Sequence, residues 1–416
     1  MSQPLSRRSF LKHTGTVGAA AALTAASYSR VMGANARIGI GVIGCGGRGY
    51  GAHMPGVHKH VKAVDHEIIA VADPWRQRRE RAAARCKEWY GRDAKACVSY
   101  HDVIGTKGVD AVMIASCDHQ HTTHLEAAAK AKKDVYCEKP LGMRLDKLKA
   151  ACDAVRANNI VFQAGTQLRS YPTFTGCRKL YRTGILGTVG RIEQCRNGGQ
   201  PYWYSRVAKV EAKDVEWKEF LMDRPMRPFD PVLFSGWYGY REFSEGSVPG
   251  LGSHFLDLVH YITGATFPTN AVCLGGTYTW KDAHKFTCPD HVHALWEYPE
   301  GFLVSYSTNF GNSWGNSFKI YGNVGTLDMV KWHEPILSAQ GGFKNKGAVR
   351  GDTPVEPVAR PEHFLDWLQC IHTRKPCNAD IDAAYQHVVP TIMAMKAFDT
   401  GLRQVYDREK REIREG

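Results

Sequence analysis

The chain lacks a C-x-x-C pair, an apolar run long enough to span a bilayer, an internal repeat and a low-complexity linker. Its 12 cysteines are irregularly spaced, and most lie inside apolar, strand-like runs, as Cys117 and Cys137 do. That pattern argues against a disulfide scaffold and for free, buried thiols. The stretch GTVGAAAALTAAS, residues 15–27, is too short and too rich in Gly and Ala to cross a membrane. Concentrated basic charge is also missing. Arg76, Arg78, Arg79, Arg81 and Arg85 stand at helical spacing among Ala and Glu, as on a solvated helix face, so nucleic acid is not an expected partner. Residues 1–36 hold no acid at all; removing their four basic residues from the net charge of +13 leaves +9.

What that acid-free start does hold is SRRSFLK, with paired Arg7 and Arg8, then the small-residue apolar run, then Ala34-Asn35-Ala36. A charged start, a modest apolar middle and an A-x-A exit make an export signal, and the twin arginines point to the twin-arginine route. Residues 1–36 are therefore expected to be a signal peptide, with the export machinery as a partner and the periplasm or exterior as destination. That route moves folded proteins, often with a cofactor inside, so the next question is which cofactor.

The length of 416 residues allows two or three domains, and 43% hydrophobic with 23% charged residues is ordinary for a globular chain. From residue 37 to 160 apolar strands alternate with helices. RIGIGVIG (37–44), EIIAVADP (67–74), VDAVMIAS (109–116), DVYCEKP (134–140) and Ile160–Ala164 read as strands. Residues 75–90, 123–133 and 145–158 read as helices. Near-continuous apolar strands in that rhythm predict a parallel sheet covered on both faces, an α/β Rossmann domain. After about residue 165 alternating runs appear, HVHALWEY (291–298) and FLVSYSTNF (302–310), which predict an open, mainly antiparallel sheet. The expected second domain, 161–416, is α+β, for substrate binding and oligomerisation, with its C-terminal helices packing back on the first.

Gly44-Cys45-Gly46-Gly47-Arg48-Gly49 fits G-x-G-x-x-G directly after a strand, and Asp73 ends the next strand. Gly44 permits the tight turn, Gly46 lets backbone approach a pyrophosphate, and Gly49 allows close packing of helix on strand. The helix start offers unpaired N–H groups to the phosphates. Asp73 is placed to accept hydrogen bonds from a ribose and to repel a 2′-phosphate, which favours NAD; Arg76 nearby keeps NADP as the alternative. Lys139, in CEKPLG, lies at the carboxyl end of a parallel strand, where ligands of such sheets bind.

These pieces together resemble the Gfo/Idh/MocA oxidoreductases, relatives of glucose–fructose oxidoreductase and inositol dehydrogenase. The matching segments are GIGVIGCGGRG, VADP, DAVMIASCDHQHTTHLEAAAKAKKDVYCEKPLG and GTVGRIE. QAGTQLRSYP and EHFLDWLQCIHTRKPCNADIDAAYQHV resemble the twin-arginine-exported branch. The resemblance implies that Lys139 orients a substrate hydroxyl and that His254 is the general base. It also puts Gly47, Arg48, Ser116, Asp118, His121 and Glu138 beside the cofactor, and implies a homo-oligomer. The family's D-x-G-x-H segment corresponds to Gly250–His254, so a glycine stands where the family has its aspartate. Asp257, a helical turn beyond His254, is a candidate stand-in.

An imidazole can take a hydroxyl proton as hydride leaves the carbon, and an ammonium can stabilise the developing alkoxide. Gln167, Arg169, Tyr238 and Asp257 are the expected substrate contacts, with Tyr202, Trp203, Trp237 and Tyr240 as further aromatic faces for a sugar ring. His119, His121 and His124 are spaced to tempt a metal, but no Cys or Glu completes a set, and no metal is expected. His291 and His293 share one face of a strand. The reading that follows is an NAD(P)-dependent oxidoreductase acting on a sugar, polyol or related small carbohydrate with a tightly held cofactor. One alternative is a redox-neutral, NAD-dependent glycoside hydrolase or lyase, working by transient C3 oxidation and elimination. Another is a non-catalytic NAD-binding protein.

Overall fold

The computed structural model describes residues 37–344 and 347–416; the export segment, 1–36, lies outside the described residues. The first sheet is parallel and six-stranded. Its strands are β1 (Ile38–Ile43), β2 (His66–Ala72), β3 (Lys95–Cys97), β4 (Ala111–Ile114), β5 (Asp134–Cys137) and β6 (Phe162–Ala164), in the order β3-β2-β1-β4-β5-β6. Every residue of β1, β4 and β5 is buried, as the apolar runs predict for a sheet covered on both faces. The order reverses between β1 and β4, which opens a crevice at their carboxyl ends. Strand β3 and the short helix Tyr100–Ile104 escape the sequence reading, being too brief to show a period. The expected boundary at 160 also needs correction: β6 pairs with β5 and so belongs to the first sheet.

The second sheet has ten strands. They are β7 (Val189–Gly198), β8 (Asn270–Gly276), β9 (His291–Tyr298), β10 (Phe302–Phe310), β11 (Ser317–Gly322), β12 (Thr326–Asp328), β13 (Ile336–Ser338), β14 (Thr353–Pro354), β15 (Gln404–Asp407) and β16 (Glu412–Glu415). Their order is β14-β13-β12-β11-β7-β10-β9-β8-β15-β16. Pairing is antiparallel except between β7 and β10. In β9 and β10 burial alternates strictly along each strand. The buried face carries Trp296, Tyr298, Val304 and Tyr306, and it packs against Phe255 and Val259 of the helix Ser253–Thr263 and Val388 and Ile392 of the helix Ile381–Thr400. Burying each such large side chain contributes about 1.5–3 kcal/mol. The other face leaves Leu274, Leu295 and Leu303 exposed.

The C-terminal helix His363–Thr373 packs back on the first domain. Trp367 and Leu368 join a cluster with Ile40 and Val42 of β1 and Tyr136 of β5. All twelve cysteines are free thiols, and ten of them are buried.

Candidate active site

One cavity of about 650 Å³ runs from the glycine turn after β1 to the start of the helix Ser253–Thr263. Its first wall is backbone. Gly44 has φ +93°, and a β-carbon there would lie 2.5 Å from the Ala115 carbonyl. A β-carbon on Gly49 would collide with the Gly44 carbonyl oxygen. Both positions demand glycine for close approach. At Gly46 and Gly47, by contrast, the space beyond the backbone holds only guanidinium tips, Arg78 Nη1 at 3.4 Å and Arg206 Nη1 at 3.5 Å from where a β-carbon would sit. A bare backbone floor facing two cations fits a pyrophosphate.

Asp73 is 3% exposed and accepts from the backbone N–H groups of Cys45 and Trp75, each at 2.8 Å. Burial raises its pKa, with Arg78 opposing. Arg76, the residue that kept NADP open, is paired with the buried Asp214 and shares it with Gln77. Its guanidinium is therefore already engaged.

The deeper wall starts with Glu138, whose Oε1 accepts from Arg48 Nε at 2.8 Å and meets His53 Nε2 at 2.9 Å. Burial alone would raise its pKa; Arg48 and then His53 outweigh that and hold it well below the carboxylate range. The Lys139 ammonium donates to the Gly250 carbonyl at 2.7 Å. Burial lowers its pKa, while Glu138 and Asp118 support the charge. Asp118 accepts from Ser244 Oγ at 2.7 Å. Burial pushes its pKa up to about 7, with Lys139 opposing. His254 also lines the cavity, and burial and then Lys139 push its pKa down to about 3, so the imidazole is neutral near pH 7. Its buried Nδ1 has no partner among the described residues.

The missing family aspartate has a physical counterpart. A β-carbon at 250 would lie 2.5 Å from the Tyr202 hydroxyl. Glycine leaves room for that tyrosine, which arrives from the loop after β7 and stacks edge-on to Tyr238, with ring centroids 5.7 Å apart. No spacing in the sequence connects residue 202 with residue 250; only the signal of a glycine in an otherwise polar motif was there to be read.

Several expected site residues gather here: Ser116, Asp118, His121, Glu138, Lys139, Gln167, Tyr238 and His254 all line the cavity, with Gln167 Oε1 buried and unpartnered among the described residues. Others are placed elsewhere. Arg169 and Asp257, expected to touch substrate, pair with each other in the interior, Arg169 Nε lying 2.7 and 2.8 Å from the two carboxylate oxygens. His387 adds to the pair at 3.2 Å. This bond, beside the short turn Gln167–Ser170, braces the wall from behind and removes Asp257 as a stand-in at the site. Both nitrogens of His121 face carbonyl oxygens, of Pro140 at 2.7 Å and Ser116 at 3.1 Å, while His124 Nδ1 meets Ser116 Oγ. His119 turns to the Phe220 carbonyl instead. His121 and His124 thus share Ser116, through its carbonyl and its hydroxyl, while His119 points elsewhere. His291 and His293 sit on the outer face of the second sheet, off the cavity. Trp203 and Tyr240 pack in an aromatic cluster with Phe286 behind the wall. Arg206, not singled out from the sequence, lines the cavity, and so does Arg78, which the helical spacing had assigned to a solvated face.

Comparison with known proteins agrees with this architecture. Residues 38–166 match the family model described as "Oxidoreductase family, NAD-binding Rossmann fold", and residues 220–405 match its C-terminal alpha/beta domain. Residues 4–24 match the twin-arginine translocation signal. The chain is 30% identical to a myo-inositol 2-dehydrogenase of Thermotoga maritima over 44% of its own length, and 23% identical to a 2,7-anhydro-N-acetylneuraminate hydratase of Escherichia coli over 68%. Those matches span 53% and 62% of the relatives' own lengths. A levoglucosan dehydrogenase, solved with NADH and levoglucosan, superposes with a TM-score of 0.68 at 16% identity, covering 88% of this chain and 98% of the other. Two matching domain models in the expected order, over a shared fold, place the protein: the chain belongs to the Gfo/Idh/MocA oxidoreductase family.

Proposed function

We propose that this protein is an exported oxidoreductase of a sugar, polyol or related carbohydrate that keeps NAD bound. The observation that carries the reading is the continuity of one cavity from the glycine turn to Lys139 and His254. Gly44, Gly46, Gly47 and Gly49, with Asp73, would hold the dinucleotide, Asp73 on the adenosine ribose. When bound, its nicotinamide supplies the acceptor for a hydride from a carbinol carbon. Lys139, pinned by the Gly250 carbonyl, donates to the substrate oxygen and stabilises charge developing there. His254, neutral, takes the hydroxyl proton. Tyr202 and Gln167 present a hydroxyl and an unpartnered carbonyl oxygen to the remaining hydroxyls of the substrate. The matched export signal supports a periplasmic or extracellular site of action. The apolar outer face of the second sheet, with Leu274 75% exposed, supports a homo-oligomer.

A redox-neutral variant, in which the same site oxidises, eliminates or adds water, and re-reduces, draws support from Asp118. A carboxyl with pKa about 7 can donate or accept a proton at one spot near neutrality. The resemblance to a hydratase points the same way. One experiment separates the readings. The purified protein is assayed by mass spectrometry for retained nucleotide, then offered a carbohydrate panel while absorbance of NADH is followed. Reduction of the bound nucleotide, coupled to oxidation of the carbohydrate to a ketose or lactone, supports the oxidoreductase. Free sugar released from an aryl glycoside without net NADH supports the variant, and no nucleotide bound under any condition sinks both.

A further inference from the structure

The segment 199–251, between β7 and the helix Ser253–Thr263, does not stay with the second domain. It crosses the mouth of the cavity and ties itself to the first. Glu216 N donates to the Pro74 carbonyl at 2.9 Å, and Asp214 pairs with Arg76. Gln120 Nε2 donates to the Phe220 carbonyl at 3.0 Å, and Ser244 Oγ to Asp118 at 2.7 Å. An isolated bridge joins Val215 to Trp75. The strap is thus stitched to the loops after β2 and β4, on either side of the glycine turn.

Within this strap, Arg206 is the cation that lines the cavity. It is exposed and makes no ion pair among the described residues. Arg206 Nη1 reaches the space above Gly47, 3.5 Å from where a β-carbon would sit, while Arg78 from the first domain stands likewise over Gly46 at 3.4 Å. Two guanidinium groups, one from each domain, converge on two glycines whose only evident use is to let a phosphate approach. A planar guanidinium matches phosphate oxygens two at a time, and is used where such a group must be gripped.

We infer that Arg206 is a pyrophosphate ligand contributed by the second domain, which with Arg78 clamps the dinucleotide from opposite sides and retains it after export. This rests on the NAD-binding reading above and adds how the cofactor is kept. Leaving would require the strap to part from the first domain, because the cation that holds the phosphates is carried by the strap itself.

The test uses the full-length exported protein, wild type and Arg206→Ala, stripped of nucleotide and titrated by calorimetry with NAD and, separately, with ADP-ribose, which keeps the pyrophosphate and lacks the nicotinamide. Losing one charge-assisted contact should weaken both ligands by the same factor, about tenfold to a hundredfold, with Arg206→Lys in between. The Arg206→Ala protein should also come through purification with less nucleotide, at an unchanged melting temperature when empty, since Arg206 has no ion-pair partner among the described residues. Equal affinities for both ligands in wild type and Arg206→Ala would overturn the inference. So would weakening of NAD alone, which would put the arginine at the nicotinamide end. A wild type that binds neither ligand would overturn the NAD-binding reading itself.

Discussion

The two walls of the cavity are built on opposite principles. The cofactor wall is a short stretch of backbone, Gly44–Gly49, in which Gly44 and Gly49 permit close approach and Gly46 and Gly47 leave a bare floor. The wall proposed to face the substrate is assembled from side chains that lie far apart in the chain: Asp118, Lys139, Gln167, Tyr202, Tyr238 and His254. Even the one glycine on that wall, Gly250, matters for a different reason. It makes space for the Tyr202 hydroxyl rather than for a ligand's phosphate. A wall of backbone can be identified from a short motif, whereas a wall of side chains depends on how the strap, the second sheet and the first domain meet.

The comparison breaks most visibly if the side-chain wall does not carry the chemistry. Lys139→Ala or His254→Ala should cut turnover by about two to four decades while NAD titrations stay near wild type; turnover unchanged in either variant removes that residue from the mechanism. Next in size is the brace behind the wall. Asp257→Asn leaves the Arg169 guanidinium buried without its carboxylate, and denaturant unfolding should show a loss of about 3–5 kcal/mol. A loss well under that would mean the pair is relaxed by water.

A sharper probe is Gly250→Asp, which restores the family residue. If glycine is there to admit Tyr202, the aspartate displaces the ring and turnover falls about a hundredfold, as a misplacement of about 1 Å can do. A gain in turnover would show instead that the site simply lacks its carboxylate. The smallest expected effect is a drift of stability with pH. Burial raises Asp118 to about 7 in the folded protein from an ordinary 3.8. Its contribution is therefore fully present below about pH 3.8 and is lost as pH rises through about 7. Glu245, raised to about 8, has the same sign. Denaturant midpoints measured from pH 4 to 8 should fall less steeply for Asp118→Asn than for wild type. On the acid side, His119, His254 and His260, each depressed to about 3, withdraw stability as pH falls from 6.5 toward 3.

Residue patterns carried much of this protein unaided. Apolar runs located five of the six strands of the first sheet, and strict alternation located β9 and β10 to the residue. The glycine motif, Asp73 and Lys139 were legible because each is tied to the end of a strand, and strand ends are read from local hydrophobic period. Arg169 and Asp257 misled for the same reason. Their proximity in sequence to Gln167 and His254 was visible, but not the direction each side chain takes, which turned them toward one another in the interior.

What sequence determined by itself, then, was the order of strands and helices and the bare turn that suits a dinucleotide, because both follow from interactions among near neighbours. What only the tertiary structure decided was the company kept by charges and hydroxyls: Arg76 with Asp214, Tyr202 in the room left by Gly250, Arg206 over Gly47. Those meetings join residues 48 to 159 positions apart, and nothing but the packing of two domains and the strap between them brings such partners together.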